Sequence, residues 1–264
     1  MSLRDVLEDF QHGKLSLEEA EKEIRLFQLA RISNWGKIDT HRHYRTGIPE
    51  AVFCEGKSDE EVLPLASQFI QRTGRCIMTR IAPGRMTGLK AGLKKRLPKG
   101  TGLQENGKAG VLIVKRKGYA TKATGGKIAI LSAGASDVGR AEEARIIAEE
   151  MGCRVYTFYD VGVAGIHRLI PAIGQIVKEG IDIIVVAAGM EGALPSVVAG
   201  LVDIPVVGLP ISTGYGLGGK GEAALLSILQ SCSPGLVAVN IDNGFGAGAF
   251  AAMVANRTAR RKGL

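Results

Sequence analysis

The chain has 264 residues, 45% apolar and 23% charged, the balance of a globular protein with length for one large or two small cores. Its start is charged, its longest apolar run (Ile181 to Ala188) is far too short for a bilayer, and its four cysteines lack C-x-x-C spacing. No signal peptide, membrane span, zinc site or disulfide framework is therefore expected, and the expectation is a cytoplasmic chain with reduced thiols.

In chain order, residues 3–31 read as a helical pair. Ser16 is a plausible N-cap with Glu19 three residues on, and Ala20, Ile24, Phe27 and Leu29 form an apolar face. A strand is expected at Glu50 to Phe53, a capped amphipathic helix at Ser58 to Arg72, and a strand at Arg75 to Ile81. Residues Gly84 to Lys108, rich in Gly, Pro and Lys, read as loop, and Val111 to Val114 as a short strand. This smaller α+β domain (1–125) contains the basic segment 72–127, where 15 Lys and Arg face Glu105 alone. The local balance is +14, so the rest of the chain carries −6 of the overall +8. Aromatic residues, at 5%, do not interleave with these charges, so nucleic acid is not an expected partner.

From residue 126 to 264 the pattern is regular. Apolar strands at Ile128–Leu131, Val155–Phe158, Ile181–Ala187, Val206–Leu209 and Leu236–Ile241 alternate with helical stretches. Strands that are apolar throughout belong in a parallel sheet covered on both faces, here a flavodoxin-like three-layer α/β sandwich. Ligands bind such sheets beyond the carboxyl ends of the strands. The loops expected there carry Gly134, Ala135, Ser136 and Asp137; then Asp160 and Gly162; then Gly189, Met190 and Glu191; then Ser212, Thr213 and Gly214; and Asn243 with Gly244. The amides of Gly134 and Ala135 could hold a phosphate at a helix N-terminus; the competing reading is a plain N-cap by Ser136 or Asp137. Gly216 to Gly221 matches G-x-G-x-x-G but does not directly follow a strand, so it reads as a glycine-rich flap and not a dinucleotide fingerprint.

Gly134-Ala135-Ser136-Asp137, Leu194-Pro195, Pro205 to Pro210 and Ser227 to Gln230 resemble the PurE class, which carboxylates or shifts a carboxyl group on aminoimidazole ribonucleotides. That class has a catalytic His just before the Leu-Pro, where this chain has Ala193. With that departure, together with Arg42 to Glu50, Asp160 to Leu169, Gly189 to Ser196, Cys232 to Leu236 and Asn240 to Gly248, the chain resembles the LarB family. The resemblance implies carboxylation by CO2 of the pyridinium ring of nicotinic acid adenine dinucleotide at C5. It also implies hydrolysis of the phosphoanhydride, giving the pyridinium-3,5-biscarboxylic acid mononucleotide and AMP, the first step of nickel-pincer nucleotide synthesis. It implies as well a homo-oligomer, octamer-like as in PurE.

Cys232 matches the family's nucleophile, and a thiolate suits both addition to ring C4 and departure from it. Glu191 is the candidate base for the C5 proton. Asp137 and Asp160 are expected to bind ribose or phosphate, and Ser212, Thr213 and Asn243 to donate hydrogen bonds. Mg2+ is expected at the diphosphate, its protein ligands unknown. His12, His41, His43 and His167 read as structural or exposed, and Arg42, Arg45, Arg80 and Arg85 as weaker phosphate candidates. Cys232 precedes the fifth strand, at the sheet's opposite edge, so a neighbouring subunit is expected to supply it. A PurE-like mutase and a non-catalytic nucleotide sensor remain the alternatives.

Overall fold

The structure, a computed structural model, describes residues 3–26, 30–33, 36–38, 42 and 46–262. The chain divides into two compact units, Met1–Gln104 with Leu112–Tyr119, and Glu105–Val111 with Ala120–Leu264.

In the first unit, helices α1 (Leu3–Gln11) and α2 (Leu17–Leu26) form as expected. Ser16 and Glu19 close a reciprocal cap, with Glu19 N–H on Ser16 Oγ at 3.2 Å and Ser16 N–H on Glu19 Oε2 at 2.8 Å. Phe27 and Leu29 lie outside the described residues. Ala30–Ser33 (β1) pairs antiparallel with Gly36–Ile38 (β2). The expected helical pair therefore stops short of residue 31, and a hairpin that the sequence reading did not foresee follows it.

A second sheet is built from Ala51–Phe53 (β3), Arg75–Thr79 (β4), Gly102–Asn106 (β5) and Val111–Lys115 (β6), in the order β3-β4-β6-β5. Helix α3 (Asp59–Thr73) packs on it through Val62, Ala66, Phe69 and Ile70, with Glu61 capping the Ser58 amide at 2.7 Å.

The segment read as loop from Gly84 to Lys108 instead contains helix α4 (Arg85–Arg96) and β5. Its glycines lower helix propensity, but packing overrides them. Leu89 and Leu93 are fully buried at helical spacing, and a Cβ on Gly92 would fall 2.6 Å from Leu63 of α3, so that glycine permits close helix approach. Arg85, a candidate for phosphate, is engaged within the fold. It pairs with Asp59 at 2.6 Å and donates to the carbonyls of Cys54 and Lys57.

The second unit carries a five-stranded, all-parallel sheet in the order β11-β10-β9-β7-β8. The strands are Lys127–Ser132 (β7), Arg154–Phe158 (β8), Ile183–Ala188 (β9), Val206–Pro210 (β10) and Leu236–Ala238 (β11). This is the flavodoxin-like order, with its switch point between β7 and β9. One face, through Leu131, Ile184 and Val186, packs on α6 (Leu169–Glu179) and α7 (Leu194–Ala199). Helix α8 (Glu222–Leu229) sets Ile228 against Gly208 on the same side. The other face is covered by α5 (Val138–Glu150) and α9 (Gly244–Lys262). These two helices touch through glycine: a Cβ on Gly248 would lie 2.3 Å from the Ala144 carbonyl oxygen. Asn106 and Tyr159 both donate to Glu142, which also takes Arg145 bidentately at 2.7 and 2.8 Å.

Candidate active site

The five loops following β7 to β11 meet along the carboxyl edge of the sheet and are bonded to one another. Met190 N–H donates to the Thr213 carbonyl at 3.1 Å, Ser212 N–H to Asp242 Oδ1 at 3.0 Å, and Asp160 N–H to Ser132 Oγ at 3.2 Å. Four non-glycine residues on the segments after these strands, Asp160, Met190, Lys220 and Asp242, hold left-handed φ of 57°, 52°, 58° and 57°. Backbone strain of this kind concentrates at functional sites.

The sequence-derived candidates divide by role. Asp137 was expected to contact ribose or phosphate but is buried, only 4% exposed, at the switch point. Its Oδ2 accepts the Gly134 N–H at 2.8 Å, so that amide is committed within the loop and not held open for phosphate. Oδ1 is buried, faces Gly189, and makes no hydrogen bond of normal geometry. Burial pushes the Asp137 carboxyl above the usual range, against the Gly134 and Gly189 amides and the Ser136 hydroxyl, which pull it down. Ala135 and Ser136 remain exposed at the rim.

Gly189 and Gly162 are tight. A Cβ would fall 2.4 Å from the Thr213 oxygen at Gly189 and 2.6 Å from the Ala133 oxygen at Gly162. Asn243 caps α9 through Oδ1, which accepts Gly246 N–H at 2.8 Å, and Gly244 is buried against Arg140 and Glu143 of α5. These two residues therefore build the rim more than they line it.

Glu191, Ser212, Thr213 and Gly214 are exposed. Glu191 lies ahead of the Ala193 N-cap of α7, and no described residue holds its carboxylate. Asp160 is exposed and paired with Arg168, at the end of the short 3-10 segment Val163–Arg168. Arg168 was passed over in the sequence because it follows Asp160 by eight residues; the turn between them brings the pair together. His41, His43 and Arg45 lie outside the described residues. His12 Nδ1 donates to the Glu8 carbonyl, 2.7 Å away on α1, and is structural.

Of the four cysteines, Cys54, Cys76 and Cys153 are buried and Cys232 is exposed. Desolvation raises the Cys54 and Cys153 thiols to about 11 and pushes Cys76 up as well, which keeps all three protonated. Cys232 is thus not the buried structural thiol that composition alone would allow. It stands on the turn leading into β11. There Ser196 Oγ of α7 donates to Ser231 Oγ at 2.8 Å, and Ser233 Oγ donates to the Ser196 carbonyl at 3.0 Å. Leu236 pairs with Val206, the first residue of β10, so this turn lies at the amino edge of the sheet. A five-residue strand, roughly 16 Å long, separates that edge from the rim.

Among the described residues, no three His, Cys, Asp or Glu side chains gather as metal ligands, so the side chains present do not form a Mg2+ site by themselves. No helix among them is long and apolar enough to cross a membrane.

Residues 127–262 match the AIR carboxylase family, and residues 30–116 match the LarB/PurE-like N-terminal domain. An uncharacterized protein of Methanocaldococcus jannaschii is 45% identical over 254 residues, 96% of this chain and 97% of that one. The N5-carboxyaminoimidazole ribonucleotide mutase of the same organism is 35% identical over 120 residues, 44% of this chain and 71% of that enzyme. A probable mutase of the same name from Methanothermobacter thermautotrophicus is 32% identical over 133 residues, 48% of this chain and 37% of that one. With both domains matched in order on one chain, it belongs to the LarB-like proteins, a carboxylase-type family whose C-terminal region is PurE-like.

Proposed function

We propose that the chain carboxylates the pyridinium ring of nicotinic acid adenine dinucleotide at C5 and hydrolyses the phosphoanhydride, releasing the biscarboxylated mononucleotide and AMP. The observation that carries this reading is Cys232. It is the exposed thiol among four, on a turn tied to α7 by two serine hydrogen bonds, in a chain with Ala193 where PurE enzymes have their His.

A pyridinium cannot attack CO2, because its ring carbons are electron-poor. The Cys232 thiolate adds to C4, and the ring nitrogen takes up the displaced π pair and loses its charge. The dihydropyridine so formed is an enamine, and its C5 attacks CO2 to make the carbon–carbon bond. Glu191 takes the C5 proton, which regenerates the enamine. The nitrogen's electron pair then expels the thiolate from C4 and restores the aromatic pyridinium. Water cleaves the phosphoanhydride in a separate step.

Cys232 and Glu191 lie at opposite sheet edges of one chain, so the reading requires a homo-oligomer in which one copy's amino edge meets another's rim. In this reading the exposed Asp160–Arg168 pair and the exposed residues Ala135 and Ser136 are the rim groups that meet ribose and phosphate. Among the described residues no side chains gather into a cation site, and Mg2+ is proposed to enter on the diphosphate, with water as its other ligands.

The relatives named as mutases favour one competing reading, carboxyl transfer on an aminoimidazole ribonucleotide, and the absence of an imidazole at position 193 counts against it. Incubation of the protein with nicotinic acid adenine dinucleotide and bicarbonate, followed by mass spectrometry, tests both readings. Gain of one carboxyl group with AMP release is expected. Unaltered dinucleotide, with turnover of carboxyaminoimidazole ribonucleotide instead, would overturn the proposal.

A further inference from the structure

The glycine-rich segment after β10 has fixed roots and an open tip. At its roots, a Cβ on Gly218 would lie 2.2 Å from Ala223 Cβ, and one on Gly221 would lie 2.8 Å from Ile241 Cγ2. Gly214 rests against Met190, whose N and Sδ are each 3.6 Å from its Cβ position. The tip is different. Gly216 has φ +75° with nothing within 4 Å of its Cβ position, and Gly219 is equally open. On either side of Gly216, Tyr215 is 81% exposed and Leu217 is fully exposed.

Single apolar side chains in water need no explanation. These two are not scattered. They flank one glycine at the tip of a loop whose root touches Met190, itself 42% exposed and in the left-handed region. The neighbour of Met190 in sequence is Glu191. Tyr215 thus follows directly on the glycine that touches the Met190 thioether, and Glu191, whose carboxylate no described residue holds, follows directly on Met190. That set suits a flat ring of positive charge, since a Tyr face attracts a cation through its quadrupole and a Met sulfur is polarizable.

We infer that Tyr215 is a substrate-binding and specificity-determining residue that stacks on a planar, cationic heteroaromatic ring, with the flap closing over it. The inference rests on the proposed function and deepens it. The ring is the one whose C5 proton Glu191 takes, and not the adenine, because Glu191 adjoins the flap's root. Gly216 lets the tip turn, and the tight contacts at Gly218 and Gly221 hold the segment that follows it. This accounts for the glycine pattern that resembles a dinucleotide fingerprint without sitting where one belongs.

The test is calorimetric titration of the full-length wild type, Tyr215→Ala and Tyr215→Phe with nicotinic acid mononucleotide and, separately, AMP. Tyr215→Ala is expected to bind the pyridinium mononucleotide roughly tenfold more weakly and AMP as the wild type does. Tyr215→Phe, which keeps the face and loses the hydroxyl, is expected to restore most of the pyridinium affinity. Equal weakening toward both ligands, or none toward either, would overturn the inference. So would a changed sedimentation coefficient for Tyr215→Ala, which would assign the tip to contact between copies. Wild-type protein that binds no pyridinium mononucleotide at all would remove the proposed function and this inference with it. Undiminished binding by Tyr215→Ala removes the inference alone.

Discussion

The two edges of the parallel sheet are built on different plans. At the carboxyl edge, loops from separate strands bond to one another, a buried carboxyl takes the Gly134 amide and faces Gly189, and four non-glycine residues hold left-handed backbone. At the amino edge, the turn bearing Cys232 bonds to a helix and holds no left-handed non-glycine residue. Strain and buried charge are kept where several loops must agree on a geometry; an exposed nucleophile needs only a firm turn. Under the proposed function the reaction requires both edges, so each carries half a site.

The largest expected effect follows from removing the amino-edge half. Cys232→Ala should abolish carboxylation. The side chain is exposed, so the stability change should stay within about 0.5 kcal/mol by thermal unfolding. Turnover that survives the substitution sinks the covalent route. A second experiment asks whether the halves come from different copies. Cys232→Ala and Glu191→Gln subunits, each inactive alone, should regain activity when unfolded and refolded together. Mixtures that co-assemble yet stay inactive would place both groups in one chain.

On the carboxyl edge, Gly189→Ala would press a methyl to 2.4 Å from the Thr213 oxygen and 3.1 Å from Asp137 Oδ1. It should cost about 1–3 kcal/mol and lower turnover. Gly248→Ala presses a methyl 2.3 Å from the Ala144 oxygen on the helical face and should cost a similar amount. If both variants lose stability equally and activity equally, the rim has no special role.

Asp137 supplies a pH-dependent version of the same comparison. Its folded-state pKa is raised, chiefly by burial, so the folded protein binds that proton more tightly than the unfolded chain does. Stability from this group is therefore greatest below the unfolded carboxyl value. It falls as pH rises through the raised pKa and is lowest at neutral pH. Asp137→Asn removes the titration. Its melting temperature relative to wild type should climb as pH goes from acid to neutral, while activity falls. A melting difference that does not change with pH would mean that Asp137 has no raised affinity for its proton.

The sheet and its loop order were legible because buried parallel strands write continuous apolar runs, as Ile183 to Ala188 does, and glycine marks each turn. Helix α4 was not legible. Gly88 and Gly92 look like loop residues until Leu63 is seen pressed against Gly92, a contact between residues far apart in sequence. The rim loops could be named from sequence, but the roles within them could not. Asp137 reads as a ribose or phosphate ligand and is buried, and Asn243 reads as a ligand group and caps α9. A side chain's partner across two loops leaves no local trace. Cys232 stood out by its Ser-Cys-Ser setting, and the physical content of that setting is the pair of hydrogen bonds to Ser196.

That pair gives the smallest predicted effect and the finest test of the amino edge. Ser196→Ala removes the hydroxyl that donates to Ser231 but leaves the Ser196 carbonyl to accept from Ser233, and Ser231 Oγ still accepts the Ser233 amide. One net hydrogen bond is worth about 1 kcal/mol, so the fold should barely register the change. If the two serines hold the thiol in register with a ring bound by another copy, turnover should fall by more than the stability loss accounts for, with substrate affinity unchanged. Equal turnover in Ser196→Ala would mean that the turn is held adequately by its remaining bonds, and that the amino edge contributes a thiol without positioning it.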